Sequence, residues 1–217
     1  MSSDQEQHLP SPETAAAATP AAPRLILIVG GARSGKSAFA EQLAASSGQS
    51  VAFIATATAG DDEMRARIAR HRASRPAHWH TVEEPFELAG AVRYAAALAD
   101  ILVLDCITLW LSNWLARHGE ANDTDMAAAS PLFDAAAMQE IQNLLATLAS
   151  LDPGKTLIVI TNEVGLGIVP AYPLGRLYRD TLGLVNQRLA EAAGRVYLLI
   201  AGIAVDIKRL REEAVLW

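Results

Sequence analysis

Cysteine is almost absent: Cys106 is the only one in 217 residues. That excludes an intramolecular disulfide framework and any multi-cysteine zinc site. Cys106 ends an apolar run, ILVLDC, and reads as a small buried hydrophobe rather than a nucleophile. An excess of positive charge is also missing. The formal net charge is −6, which argues against a protein that coats nucleic acid. No apolar run approaches the roughly 18 uninterrupted residues of a membrane span. YAAALADILVL is broken by Asp100 and divides into a helix end and a strand. Nor is there a secretory signal: residues 1–23, MSSDQEQHLPSPETAAAATPAAP, have no charged region leading into an apolar one. With so little apolar bulk they are expected to be a disordered extension in which His8 is inert. These absences leave a cytoplasmic protein with one globular domain over 24–217, whose 51% hydrophobic content suits a sizeable core.

What is present alternates. Short apolar runs at 24–30, 51–57, 100–106, 155–165 and 195–207 read as strands, the last as one strand or a pair. Between them, 36–46, 61–74, 86–98, 134–151 and 177–194 read as helices, the second opened by acids that suit a positive helix N-terminus. No internal repeat is visible. Strands separated by helices predict an α/β, P-loop (RecA-like) three-layer fold, its mainly parallel sheet covered on both faces.

The P-loop part of that expectation rests on GGARSGKS, residues 30–37, which satisfies G-x-x-x-x-G-K-[ST] between a strand and a helix. There the backbone of Gly30, Gly31, Ala32, Arg33, Ser34 and Gly35 curls around a phosphate. Lys36 reaches the β and γ oxygens, and Ser37 supplies a hydroxyl to Mg2+. Such a fold needs an acid at the end of a neighbouring strand, and Asp105, closing ILVLD, is the candidate Mg2+ partner, direct or indirect. Glu163 also stands at a strand's C-terminal end, where open α/β sheets bind ligands. It either orients a substrate hydroxyl or metal, or caps a helix or loop. TNEV is not the N-K-x-D guanine reader, because no lysine follows Asn162. That weighs against a switch GTPase without excluding GTP as a substrate.

The densest positive cluster is RIARHRASRPAHWH, Arg67 to His80, which holds four arginines and three of the five histidines. In a helix over 61–74, Met64, Ile68 and His71 fall at i, i+4 and i+7, so His71 is expected to face inward, with Arg67 and Arg70 on an adjoining face. Two readings remain open for it. One is a satisfied core histidine; the other is a neutral imidazole in a nucleotide-phosphate site, where the arginines disfavour its proton. A metal site fits poorly, because His78 and His80 are two apart in a segment that reads as irregular, with no H-x-x-x-H and no cysteine nearby. Trp79, Trp110 and Trp114 read as packing residues, and Arg176 and Arg179 lie in a candidate substrate loop.

Together, GGARSGKS, IATATAGDDEMRARIARHRASRPAHW, DCITLWLSN and TNEVGLGIVPAYPLGRLYRDTLGLVNQRLA resemble the bifunctional adenosylcobinamide kinase and adenosylcobinamide-phosphate guanylyltransferase family of cobalamin biosynthesis. The resemblance runs from about Arg24 to Lys208, and its R-I-x-x-H-x-x-x-R-P and T-N-E-V-G-x-G-I-V-P segments are more specific than the P-loop. It implies phosphorylation of the aminopropanol hydroxyl of adenosylcobinamide by ATP or GTP. Transfer of GMP from GTP through a covalent histidine then follows. The histidine maps to His71; some relatives carry a histidine pair here, where this chain has Arg70 beside it. Nucleotide contacts map to the P-loop, to Thr56, Ala57 and Thr58, to Ser74, Arg75, Pro76 and Ala77, and to Glu83 and Asp105. The resemblance also implies a homotrimer with sites near subunit boundaries. Two other classes compete: a P-loop small-molecule kinase in which His71 is structural, and a regulatory P-loop NTPase, disfavoured by the acidic balance.

Overall fold

The apolar runs become strands whose side chains alternate between two packed faces. The computed structural model describes residues 24–60, 62–73, 75–118 and 126–214, so the extension at 1–23 lies outside the described residues. The strands are β1 (Leu25–Gly30), β2 (Val51–Ala55), β3 (His80–Glu83), β4 (Ile101–Asp105), β5 (Thr156–Asn162), β6 (Arg195–Ile200) and β7 (Ile203–Asp206). They form one sheet in the order β3-β2-β4-β5-β1-β6-β7. All pairings are parallel except that of β6 with β7. β1 and β4, which lead to the P-loop and to Asp105, are separated by β5, the RecA-like order.

Among the described residues there are seven helices: α1 (Lys36–Ser46), α2 (Asp62–Ala73), α3 (Leu88–Leu98), α4 (Ile107–His118), α5 (Met126–Ser150) and α6 (Pro173–Ala192), which connect strands, and α7 (Ile207–Ala214), which follows β7. On one face of the sheet Leu25, Leu27, Ala52, Ile54, Leu102, Leu104, Leu157 and Val159 pack against α3, α4, α5 and α6. On the other, Ile26, Ile28, Val51, Phe53, Ile101, Val103, Ile158 and Ile160 pack against Ala40 and Ala44 of α1. The period-2 alternation of each strand thus divides one apolar run into two cores, as a sheet covered on both sides requires. Among the described residues, no helix is long and apolar enough to cross a membrane.

Besides α7, which lies outside the expected helices, and the earlier start of α6 at Pro173, three elements depart from the expected pattern. α4 follows Asp105 after one residue, so its stripe of Ile107, Trp110, Leu111 and Leu115 is hidden in a continuous apolar stretch. α5 begins at Met126 and runs through Pro131, well before residue 134. The segment expected to be irregular contains β3, which starts at His80 and pairs with β2 at the sheet edge. Four residues, none of them buried, leave too short and polar a pattern to recognise. Trp110 is fully buried, Trp79 is buried, and Trp114 meets Phe133 edge-on with centroids 5.0 Å apart, so all three are packing residues.

The core should respond as close-packed cores do. Leu102→Ala, at 0% exposure in β4, should lower unfolding stability by about 2–5 kcal/mol in urea titrations. Leu166→Ala, at 91% exposure, should shift it by no more than about 0.5 kcal/mol.

Candidate functional site

The parallel register brings the C-terminal ends of six strands, β1 to β6, to one edge. Ala55 lies between Glu83 and Asp105, and Gly30 lies beside Asn162. Gly30 leaves no room for a side chain, since a Cβ there would stand 2.4 Å from the Leu199 carbonyl oxygen and 2.9 Å from Ser34 Oγ. The loop then turns through positive φ at Arg33 (56°) and Gly35 (97°), and α1 begins at Lys36. The first N–H groups of α1 have no acceptor within the helix, which makes this end receptive to an anion.

Lys36 is buried, and its ammonium donates to the Gly31 carbonyl at 2.6 Å. Burial holds its pKa below the ordinary lysine range, opposed by the nearness of Cys106 and Asp105. Ser37 Oγ donates to Asp105 Oδ2 at 2.8 Å. A hydroxyl and a carboxylate brought together in this way are hard oxygen donors that suit Mg2+, which completes its shell with water and substrate phosphates. Cys106, next along, is buried, and its thiol is pushed up to about 12, first by burial and then by the Asp105 charge.

The loop after β2 is fastened from behind. Thr56 is fully buried; its hydroxyl donates to the Cys106 carbonyl and accepts from the Cys106 N–H, both at 2.8 Å. The Thr56 hydroxyl thus ties two loops together. Ala57 is half-exposed and Thr58 exposed, the latter donating to Asn113 Oδ1 at 3.0 Å. Asn113 in turn donates to the Thr56 carbonyl at 2.7 Å.

Across the crevice stands the end of α2. His71 is exposed, which corrects the expectation that it turns inward. No described side chain of α2 is buried and only Ile68 is half-buried, so the described side chains form no packed stripe that would impose that orientation. The side chains of Met64 and Arg67, and Ser74 as a whole, lie outside the described residues. Two ion pairs connect this end to its surroundings: Arg72 with Glu83 at 3.2 Å and Arg75 with Glu41 of α1 at 3.8 Å. The Arg75 guanidinium lies 3.3 Å over the centre of the Phe53 ring. Burial depresses its pKa, opposed by the charges of Asp105 and Glu41. Pro76, Ala77, His78 and His80 are exposed.

On the other flank, the Glu163 N–H donates to the Gly30 carbonyl at 3.1 Å, and its carboxylate accepts the Gly165 N–H at 2.5 Å. The carboxylate therefore closes a local turn beside the P-loop. Arg176 donates to the carbonyls of Pro170 and Ala171, and Arg179 pairs with Asp180. Leu166 and Ile168 of the intervening loop are largely exposed. Sequence reasoning missed the polar groups that hold this edge. The Thr108 hydroxyl accepts the Asn162 N–H at 2.8 Å, and Asn186 donates to the Asn162 carbonyl at 3.0 Å. Asn186 carried a usable signal: it is an amide on the buried stripe of α6, between Val185 and Leu189.

Residues 26–207 match the family described as cobinamide kinase / cobinamide phosphate guanyltransferase. The chain is 46% identical over 182 residues to the bifunctional adenosylcobalamin biosynthesis protein CobP of Pseudomonas aeruginosa, covering 84% of this chain and 96% of that one. It is 44% identical over 189 residues to the bifunctional adenosylcobalamin biosynthesis protein CobU of Escherichia coli, covering 85% and 99%. The Salmonella typhimurium protein of the same name is 45% identical over the same length and coverage.

Two outcomes follow from this geometry. Gly30→Ala should weaken nucleotide binding by about tenfold or more in titration calorimetry, because the added methyl meets backbone and must displace the loop. Cys106 should resist iodoacetamide at about pH 8 in the native protein and react once urea unfolds it, as read by mass spectrometry, because its thiol stays protonated.

Proposed function

Because the chain belongs to the cobinamide kinase / cobinamide phosphate guanyltransferase family, we propose that it phosphorylates adenosylcobinamide and then caps the product with GMP. The observation that carries the site assignment is the convergence of Lys36, Ser37 and Asp105 with the His71-bearing end of α2 at one sheet edge. In the first reaction the aminopropanol hydroxyl attacks the γ-phosphorus of ATP or GTP. A new P–O bond forms, the β–γ bond breaks, and a nucleoside diphosphate leaves with the P-loop around its phosphates. Lys36 offsets the charge that develops on the transferring group. Asp105 and the Ser37 hydroxyl would hold Mg2+, which would supply further neutralisation of phosphate charge.

In the second reaction an imidazole nitrogen of His71 attacks the α-phosphorus of GTP. The N–P bond forms as the α–β P–O bond breaks, and pyrophosphate departs. A phosphate oxygen of adenosylcobinamide phosphate then attacks the same phosphorus, releasing the imidazole and forming adenosylcobinamide-GDP. Gly30 to Ser37, Thr56, Ala57, Thr58, Arg75, Pro76, Ala77, Glu83 and Asp105 are the proposed nucleotide contacts, the Thr56 hydroxyl being tied to Cys106. Ser74 completes that set on family resemblance alone. The exposure of His71 supports the carrier role over a packing role, since an exposed imidazole is available to a substrate. A homotrimer acting in the cytoplasm, on a corrinoid and without nucleic acid, completes the proposal.

Labelling tests the covalent step. Incubation with GTP radioactive at the α-phosphate, followed by denaturation, should leave acid-labile, base-stable label on the protein. His71→Asn should abolish that label while measurable phosphorylation of cobinamide persists. Wild-type protein that takes no such label would remove the guanylyl-histidine from the scheme.

A further inference from the structure

Arg75 is held in an unusual way. It follows α2, yet its side chain is only 11% exposed and inserts between the sheet and α1. Below it is Phe53, whose ring belongs to the face that α1 covers. Beside it is Glu41, on the second turn of α1, its side chain 23% exposed and its carboxylate 3.8 Å from Arg75 Nε. That distance is too long for a hydrogen bond, and the buried Nε has no hydrogen-bond partner among the described residues. A guanidinium carries five donors in a planar fork, so this one is oriented by an aromatic face and a counter-charge and still has donors to offer. The anion it would complete itself with is a phosphate.

Glu41 also sits within the electrostatic reach of the groups that matter here. Burial raises its pKa first; Arg75 and His71 lower it, and Asp105 raises it. One carboxylate on the P-loop helix therefore pairs with the cation and lies within electrostatic reach of the candidate nucleophile and the candidate Mg2+ partner. Neither the P-loop motif nor the histidine helix assigns it a role.

We propose that Glu41 is a positioning residue for guanylyl transfer: from α1 it holds the Arg75 guanidinium on Phe53, oriented toward the phosphate that His71 attacks. This rests on the reading of His71 as the guanylyl carrier and of Arg75 as a nucleotide contact. Glu41 touches no substrate. Its effect runs through Arg75, which can favour charge on the α-phosphate only from a fixed place, because reorienting a cation during the reaction would forfeit the benefit. Replacement by glutamine keeps size and shape and removes the counter-charge.

The experiment is a double-mutant cycle on the full chain, with single-turnover incorporation of α-labelled GMP as the readout. Glu41→Gln should slow label formation by roughly ten- to a hundredfold while the half-saturating GTP concentration changes far less. Glu41→Asp should recover part of the rate. Arg75→Ala should be slow, and adding Glu41→Gln to it should slow it no further, because the glutamate acts through the arginine. Wild-type rates in Glu41→Gln, or independent losses that multiply in the double variant, would overturn the proposal. His71→Asn run alongside separates the two levels. Label lost in His71→Asn but normal in Glu41→Gln refutes only the role of Glu41. Label retained in His71→Asn refutes the carrier reading, and the inference with it.

Discussion

Parallel pairing of β4 with β2 and β5 is the constraint on which the rest depends. It sets Ala55 beside Asp105 and, through β2 and β3, beside Glu83, so the loops that follow these strands open on one side of the sheet. Parallel strands also require crossover helices, and those helices cover both faces. The same alternation that builds the two cores then orients the functional side chains. Phe53, Val103 and, two residues on, Asp105 belong to the α1 face, where Asp105 meets Ser37. A one-residue slip would send each to the opposite face and separate the carboxylate from the hydroxyl.

The second theme is how an acidic chain presents positive charge. Lys36 and Arg75 are both largely buried, and burial depresses the pKa of each. Each is held by different means. Lys36 donates to the carbonyl of its own loop, whereas Arg75 lies on an aromatic ring beside a carboxylate. A polyphosphate is the ligand that would relieve both, since cations removed from water gain most from an anion that replaces their lost hydration. Glu41 gives this arrangement its asymmetry, because it compensates Arg75 from the helix that also carries Lys36 and Ser37. The middle of the P-loop helix and the segment that follows α2 are thereby coupled by charge.

Local sequence carried a large part of this in particular residues. The strand runs, the glycine pattern at 30–35 and the aspartate closing ILVLD were legible because each depends on short-range chemistry: period-2 burial, backbone freedom and a strand end. α4 was illegible because an apolar helix continuing an apolar strand offers no change of period at its start. β3 was illegible because an edge strand is chosen by its neighbour, with Ala52 and Ala55 supplying the pairing that HTVE does not announce. The ties behind the site, Thr56 to Cys106 and Asn186 to Asn162, join residues 50 and 24 apart and leave no trace at any single position.

His71 marks the boundary between the two kinds of knowledge. Helical spacing alone placed it beside Met64 and Ile68, and the family motif marked it as the residue to watch. Which way it faces depended on whether α2 had a core to pack against, and its described side chains find none. The strand, the turn at Arg33 and Gly35 and the Lys36 bond to Gly31 were legible locally, because each involves residues only a few positions apart. That Arg75 stacks on Phe53 and pairs with Glu41 was settled by folding, because the three meet only when a helix, a strand and a loop pack together.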